Sequence, residues 1–467
     1  MTAAPSSADV VVVGGGAAGL AAAVSAATAG ARVLLLEKEP RLGGTTRYAV
    51  GSFTAAGTEA QRRAGVTDDA VAFVEDMYAF AGGPDNDDLR LMLATESGPA
   101  IAWLEGLGVT FAGPFEEPPN RVPRMHNALP GARAYLDRLL RAARRRGVAI
   151  RTGVTVTGLL RDPRGRVTGV RCGAATVTAR RGVVLAAGDF AGDREMRRRH
   201  LPAAAHDALP VNPASSGASQ RLAAEAGAEL VNMDLAYGPQ LRFPPGRKGF
   251  VEKLPTWPWL TRLMRSYVSH APAWALRPFV TGVLVAHLGP GPGLFEAGAI
   301  LVNEKGARVD GAAAGLAAEH GARGYVVLTR ALADRFTRPP HHVSTAASVG
   351  YAYFGDYRRS RPELVHEGRD GAALATAIGA VPANVAALGL SGPLVALGPV
   401  QAMLTVTEGG AAVDTYCRVL GPEGVPIPGL YAAGGAGQGG MRLSGHGLHI
   451  AWALVSGRRA GESAARP

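Results

Sequence analysis

Apolar and polar positions in the first part of the chain follow an order that predicts strand, turn, helix and strand. A β-branched run at residues 10–13 leads into a glycine-rich turn at residues 14–19, and an alanine-rich stretch follows at residues 20–29. A second apolar run at residues 32–36 ends at Glu37. This order of elements predicts the βαβ unit of a dinucleotide-binding fold.

The glycine spacing in this unit matches the physical needs of a bound pyrophosphate. Gly14 permits the tight turn, Gly16 lets the backbone approach the phosphates, and Gly19 allows close packing of helix on sheet. The phosphates then lie at the N-terminus of the helix, where backbone amides favour negative charge. Glu37 follows Gly19 by eighteen residues, so it is expected to accept the ribose hydroxyls of an adenosine.

The pattern along the rest of the chain predicts an α/β protein with an inserted unit. Both outer parts alternate short apolar strands with alanine-rich helical stretches, as a doubly wound sheet requires, whereas the middle is rich in proline and aromatic residues. We therefore expect a nucleotide-binding domain formed by residues 1–235 and 376–467. Residues 236–375 are expected to form a cap over it.

Composition adds little to this picture. The chain has 467 residues and a net charge of +11, most of it from arginine in an alanine- and glycine-rich background. No nucleic-acid motif accompanies the arginine runs at residues 138–146 and 194–199, which read as solvated helix faces. Two cysteines without metal spacing favour a reducing cytoplasm and predict no metal site. The apolar run at residues 10–13 is the first strand rather than a signal peptide.

An aromatic segment opens the predicted cap. Trp257, Trp259 and Trp274 lie in a stretch interrupted by prolines and arginines, which excludes a membrane-spanning helix. Two interpretations stay open. The segment is either an element with weak contact to a membrane surface, or an apolar lid and core of the cap.

Several further motifs resemble one family across nearly the whole chain. The sequence is similar to the flavoproteins that include fumarate reductase and succinate dehydrogenase flavoprotein subunits, urocanate reductase-type enzymes and 3-ketosteroid Δ1-dehydrogenases. The resemblance implies a Rossmann-like FAD-binding domain built from both ends of the chain, with an inserted α+β cap. The motifs that carry it lie at residues 41–51, 103–108, 166–170, 183–188, 299–303 and 427–434.

The resemblance also implies which residues contact FAD. The segment after Gly44 lacks the histidine that succinate dehydrogenase-type subunits use for covalent attachment, so non-covalent FAD is expected. Ala218 stands where many relatives have an aspartate, which puts one local hydrogen bond in doubt. The expected cofactor-binding residues are Gly14, Gly16, Ala17, Ala18, Gly19, Glu37, Lys38, Gly43, Gly44, Thr45, Thr46, Gly51, Val154, Ala187, Gly188, Gly434, Gly435, Gly445, Gly447 and Leu448.

The reacting groups of these relatives are only partly present. Val406 replaces the histidine of the fumarate reductase-type carboxylate clamp, and residues 309–318 contain no arginine. Leu443 stands where ketosteroid dehydrogenase-type enzymes have a tyrosine, whereas Gly447 retains an amide able to bind a carbonyl oxygen. A dicarboxylate reductase is therefore disfavoured. The candidate catalytic residues are Arg442, His446, Gly447, Tyr351 and His126.

These features predict an FAD-dependent oxidoreductase that acts on a carbon–carbon bond adjacent to a carbonyl. The substrate is expected to be an apolar, cyclic or open-chain ketone or acid, with dehydrogenation favoured and an unidentified electron acceptor. An enoate reductase or an O2-using oxidase of the same fold stays open. So does a flavin-binding protein without turnover.

Overall fold

Two β-sheets flanked by helices build the molecule. The structure is a computed structural model that describes residues 6–81, 85–246, 253–272, 275–277, 281–282, 284–285, 288–319, 321–346 and 350–466. The named α-helices are Ala17–Thr28, Glu59–Arg63, Ala70–Ala81, Asp87–Gly106, Arg133–Arg145, Arg194–His200, Ala218–Glu225, Pro258–His270, Pro292–Glu296, Ala312–Glu319, Arg330–Arg335, Phe354–Ser360, Gly371–Ile378, Pro382–Ala386 and Leu448–Ala464.

The first sheet contains the predicted βαβ unit. Its opening strand, Ser7–Val13, pairs in parallel with Val33–Glu37 on one side and with Ala175–Leu185 on the other. Both ends of the chain contribute, because Pro426–Ala432 pairs in parallel with Ala175–Leu185. The remaining strands of this sheet are Ala149–Thr152, Gly158–Arg161, Val167–Cys172 and Arg418–Leu420. The predicted α/β class and the nucleotide-binding topology are confirmed.

Two helices cover one face of the first sheet and touch each other closely. The fingerprint helix, Ala17–Thr28, and the C-terminal helix, Leu448–Ala464, meet through alanine and glycine. A Cβ on Gly461 would overlap the Ala22 carbonyl oxygen, and one on Gly457 would overlap that of Ala18. The alanine-rich composition of the first unit therefore serves this helix contact.

The second sheet forms the core of the cap and extends past the expected boundary. Its longest strand, Leu394–Leu404, pairs with Arg323–Thr329 and with Gln240–Arg242. Since Leu394–Leu404 follows residue 375, the expected boundary cuts through one continuous sheet. The physical reason is that Leu394–Leu404 completes the cap sheet before the chain returns to the first sheet. The other strands here are Leu209–Pro210, Ile300–Asn303 and Val365–Gly368.

A smaller sheet stands beside the C-terminal helix. Its strands are Ser52–Thr54, Thr110–Phe115 and Met125–Leu129. Three two-stranded pairs complete the β-structure of the described residues. They are Leu230–Val231 with Gly410–Ala411, Ala236–Tyr237 with Val406–Thr407, and Ser344–Ala346 with Gly350–Ala352.

The aromatic segment of the cap lies on the surface where it is described. Trp257 and Trp259 stack with ring centroids 5.9 Å apart, and both are exposed at the start of helix Pro258–His270. Trp274 lies outside the described residues. Within the described parts of the chain, no helix is long and apolar enough to cross a membrane. Contact with a membrane surface stays a prediction.

We expect Gly461→Ala to destabilise the protein by roughly 1–3 kcal/mol, because the added methyl group must push the two helices apart. The thermal unfolding midpoint and denaturant unfolding both report this loss. Gly106→Ala is the matched control, since nothing lies within 4 Å of a Cβ at that helical position. Equal stability of the two variants would contradict the packing argument.

Candidate active site

A single long cleft collects most of the predicted cofactor-binding residues. Its volume is about 370 Å³, and both ends of the chain contribute to its walls. The predicted residues that line it are Gly14, Gly16, Ala17, Ala18, Glu37, Lys38, Gly44, Thr45, Thr46, Gly51, Val154, Ala187, Gly188, Gly434, Gly435, Gly445 and Gly447.

Three other predicted cofactor-binding residues lie behind the walls of the cleft. Gly19 packs against the Gly14 carbonyl oxygen, so close that a Cβ would overlap it. Gly43 donates its amide to the Gly15 carbonyl at 2.9 Å, and Leu448 is fully buried. These three residues do not line the cleft, because their close packing against neighbouring residues places them behind its walls.

The first helix presents its N-terminus to the cleft. Gly16 is the N-cap of the fingerprint helix and has no side chain to satisfy the first amides. Gly14 has a φ of 108°, and a Cβ there would overlap the Ala186 carbonyl oxygen. Only glycine permits both the turn and this contact with the neighbouring strand. The free amides and the helix dipole make this part of the cleft suitable for a phosphate group.

The Glu37 carboxylate stabilises the glycine-rich turn by accepting two backbone hydrogen bonds. One carboxylate oxygen accepts the Gly15 amide at 2.6 Å, and the other accepts the Glu39 amide at 2.8 Å. A carboxylate oxygen can accept more than one hydrogen bond, so both retain capacity for ribose hydroxyls. Val154 donates its amide to the Glu37 carbonyl at 2.9 Å. Because the Val154 amide is used in this bond, only the Val154 carbonyl oxygen is left to pair with adenine.

The segment that departs from the family pattern supplies hydroxyl groups instead of a carboxylate. Lys38 donates to the Ser216 hydroxyl at 2.9 Å, and the Ala187 amide donates to the Ser219 hydroxyl at 3.1 Å. Ala218, between these serines, lines the cleft. The segment is thus anchored to both neighbouring walls without the missing aspartate.

The C-terminal helix presents a second N-terminus to the opposite end of the cleft. Gly447, with a φ of 74°, precedes its first residue, and a Cβ on Gly447 would lie 2.8 Å from the Thr54 amide nitrogen. Thr54 donates its hydroxyl to the His446 carbonyl at 2.6 Å. This contact with the small sheet fixes where the helix begins. The amides of its first turn carry partial positive charge at the cleft.

His446 is held by a buried carboxylate. Its Nδ1 forms a short hydrogen bond with Oε1 of Glu117, which is only 7% exposed. Although 63% of the His446 side chain is exposed, it lines the cleft rather than the outer surface. The hydrogen bond to Glu117 raises the pKa of His446, whereas desolvation and the charge of Arg242 oppose this rise.

A second histidine, in the first turn of the C-terminal helix, also lines the cleft. Nε2 of His449 lies 3.4 Å from Oε1 of buried Glu408, and its ring lies 5.8 Å from that of Tyr237. Glu408 also accepts the Leu443 amide at 3.0 Å. Glu408 therefore connects the glycine-rich loop before the helix to the first turn of the helix.

Three of the five predicted catalytic residues lie outside the cleft lining. Arg442 turns toward Asp85, which accepts its amide at 2.7 Å and lies 3.9 Å from its Nε. Tyr351 is half-exposed on a hairpin of the cap, with its ring 4.9 Å from that of His342. Each side chain is drawn away from the cleft by these neighbours.

His126 is the third, and it is fully buried on a strand of the small sheet. Its Nε2 lies 3.0 Å from the Thr58 hydroxyl, and its Nδ1 lies 2.8 Å from the Arg124 carbonyl. From the segment that precedes it, Glu117 contacts the site residue His446. His126 is a residue of the protein interior.

The sequence reasoning did not find four residues at this end of the cleft: Tyr237, Arg242, His449 and Glu117. A signal existed for His449, which follows His446 by only three residues in the sequence. No local pattern marked Tyr237 or Arg242, because each lies on a two- or three-residue strand of the cap.

Comparison with known proteins gives one family and consistent folds. The model of the FAD binding domain family matches residues 9–448. A probable fumarate reductase of Shewanella frigidimarina is 27% identical over 94% of this chain and 71% of its own length.

Among solved structures, the open conformation of a flavocytochrome c3 fumarate reductase has a TM-score of 0.75 at 24% identity, over 99% of this chain and 78% of its own. A 3-ketosteroid Δ1-dehydrogenase from Sterolibacterium denitrificans, in complex with 1,4-androstadiene-3,17-dione, has a TM-score of 0.69 at 19% identity. That match covers 98% of this chain and 99% of the other. Both likenesses concern the fold.

Burial lowers the pKa of His126 from its ordinary 6.5 to about 4. The unfolded chain therefore binds this proton first, and acidification between these two values should cost stability, by up to roughly 3 kcal/mol. We expect His126→Gln to lose less stability than the parent protein over this range, measured as thermal midpoints against pH. His270→Gln, at an exposed position, should keep the parent profile. Identical profiles for His126→Gln and the parent would contradict the assignment.

Proposed function

We propose that this chain, which belongs to the FAD binding domain family and is an FAD-dependent oxidoreductase, removes hydrogen from a carbon–carbon bond adjacent to a carbonyl in a mainly apolar small molecule. The observation that carries the proposal is the His446–Glu117 pair beside the free helix start at Gly447. The pair supports the assignment of a proton acceptor and an oxyanion-binding group to this end of the cleft.

The cleft fits the cofactor by its shape and by its polar groups. Two helix N-termini open into it, one after Gly16 and one after Gly447. The first suits a pyrophosphate, and the second suits the electron-rich edge of a reduced flavin. Glu37 and Lys38 would meet the adenosine, and Thr45 would meet the flavin side. When bound there, FAD supplies the hydride-accepting N5 atom.

His446 is the residue that we assign to proton transfer. In dehydrogenation, His446 would accept the proton from the α-carbon, while a bound FAD would accept the hydride from the β-carbon. Glu117 fixes the orientation of the imidazole ring through Nδ1, which directs Nε2 at the substrate. Its negative charge also stabilises the imidazolium that forms. A positioned acid or base of this kind contributes about 10²–10⁴-fold to the rate.

The start of the C-terminal helix is suited to stabilise the negative charge that develops on the carbonyl oxygen of the substrate. As the α-proton leaves, negative charge accumulates on the carbonyl oxygen of the substrate. The Gly447 amide and the dipole of the C-terminal helix are suited to receive this oxygen. A side chain at position 447 would collide with Thr54, so the backbone alone can occupy this place.

The walls around these groups favour an apolar substrate. Leu288, Val406 and Ile450 line the cleft near His446 and His449. Val406 stands where the related dicarboxylate enzymes are expected to have a histidine. Apolar walls exclude water and strengthen the electrostatic interactions at the reacting atoms.

Reduction of an activated double bond is the second candidate. Glu117 raises the pKa of His446, so the histidine holds a proton more readily than a free imidazole does. A protonated His446 would deliver that proton to the α-carbon after hydride transfer from the reduced cofactor. Dehydrogenation and reduction would use the same residues. Mixing the enzyme with saturated ketones and with enones distinguishes the two reactions.

We expect the purified holoenzyme to lose its oxidised flavin absorbance when mixed anaerobically with a saturated cyclic ketone, and His446→Gln to slow this step about 100-fold or more. His270→Gln, a matched change on the surface, should react at the parent rate. Reoxidation of the photoreduced enzyme by enones alone would instead establish the reductase. Inertness toward ketones, enones, quinones and O2 would leave a flavin-binding protein without turnover.

The pH dependence gives a separate check on the histidine pair. Dehydrogenation requires neutral His446, so the rate should rise with pH through the pKa of this residue. Because Glu117 raises that pKa, Glu117→Gln should move the rising limb to lower pH. Glu116→Gln, at the exposed neighbouring position, should leave the limb in place. A limb that does not move in Glu117→Gln would exclude His446 as the titrating group.

A further inference from the structure

Arg242 brings an uncompensated positive charge into the cleft. It ends the cap strand Gln240–Arg242, and its side chain lines the same cleft as His446 and Tyr237. Its Nη2 atom donates to the Thr405 hydroxyl at 3.0 Å and to the Gln240 amide oxygen at 3.4 Å. Both acceptors are neutral. Among the residues that the structure describes, no carboxylate lies within ion-pair distance of this guanidinium.

Two buried arginines of this protein, Arg124 and Arg90, are neutralised by carboxylates, whereas buried Arg197 donates, within the described part of the chain, only to the neutral carbonyls of Ala205 and Ala208. Arg124 is fully buried and forms ion pairs with Asp68 and Asp76, and Arg90 forms one with Asp85. A charged group removed from water without a partner is costly. Desolvation accordingly lowers the pKa of Arg242, although a guanidinium stays charged at neutral pH. At the wall of a binding cleft, the partner that offsets this cost is a ligand.

We propose that the substrate carries a carboxylate and that Arg242 binds it, with the Thr405 hydroxyl beside it. This inference rests on the proposed function and names the substrate class: a mainly apolar oxo acid with one carboxylate. The planar guanidinium matches a carboxylate with two parallel hydrogen bonds. Arg242 lies on the wall formed by the cap, whereas His446 and Gly447 directly precede the C-terminal helix. The carboxylate is thus bound by a different element from the reacting carbonyl.

Binding can be tested without turnover. The holoenzyme is titrated with benzoate and with benzamide, which differ in charge but little in shape, and perturbation of the flavin absorbance reports binding. We expect benzoate to bind more tightly, and Arg242→Met to weaken benzoate binding about tenfold or more while benzamide changes by no more than about twofold. Arg242→Lys, which keeps the charge, should retain part of the preference.

The chain offers a close control for this change. Arg323 pairs with the same residue, Gln401, from the other side of the strand Leu394–Leu404, but its side chain is exposed. Arg323→Met should bind benzoate as the parent does. The inference is overturned if Arg242→Met, with full FAD content, binds benzoate as tightly as the parent. Should Arg242→Met fail to retain FAD, Arg242→Lys is titrated with benzoate and benzamide instead. The inference is then overturned if Arg242→Lys prefers benzoate as strongly as the parent does.

Turnover distinguishes this inference from the function on which it rests. A cyclohexanone bearing a carboxylate is compared with its carboxamide, and the preference for the acid should appear in KM and disappear in Arg242→Met. If neither compound is turned over but benzoate binds through Arg242, the proposed reaction fails and the anion site stands. If both are turned over equally by the parent and by Arg242→Met, the anion site fails alone.

Discussion

The close contact between the fingerprint helix and the C-terminal helix is the constraint on which the site depends. Gly457 and Gly461 lie against the Ala18 and Ala22 carbonyls, and any larger side chain would separate the helices. Because of this contact, two helices more than 400 residues apart in the chain open into one cleft. A cofactor bound there meets one positive helix end at its phosphates and another at its flavin. The unusual alanine content of the first helix follows from the same requirement.

The same contact fixes the glycine-rich loop that precedes the C-terminal helix. Ser456 accepts the Gly434 amide at 2.9 Å, and the Trp452 indole donates to the Gly434 carbonyl at 3.2 Å. Thr54 then holds the start of the helix through the His446 carbonyl. Each of these bonds is local to the helix or the small sheet, yet together they place His446 beside Glu117. The position of His446, which we propose as the proton-transfer group, is therefore set by packing that has no chemical role.

Local patterns predicted the fold and the cofactor cleft, because strand, turn and helix in the βαβ unit are encoded within residues 7–37. The catalytic end could not be predicted in the same way. Arg442 is oriented by Asp85, 357 residues away, and His446 is held by Glu117, 329 residues away. Neither partner is marked by spacing, since each is brought in by a separate loop. Arg242, for which we propose a carboxylate ligand, is harder still to find, because it stands out only by lacking a carboxylate partner among the described residues, and a sequence does not display that.

Arg242 and His446 are electrostatically connected, and this connection relates binding to chemistry. The charge of Arg242 lowers the pKa of His446, against the stronger effect of Glu117. If Arg242 binds a substrate carboxylate as proposed, that carboxylate would neutralise the charge, and the pKa of His446 would rise when substrate binds. The histidine would then be a stronger base at the moment when the proposed reaction needs one. An acidic substrate would in this way activate the residue that deprotonates it, whereas a neutral analogue of the same shape would not.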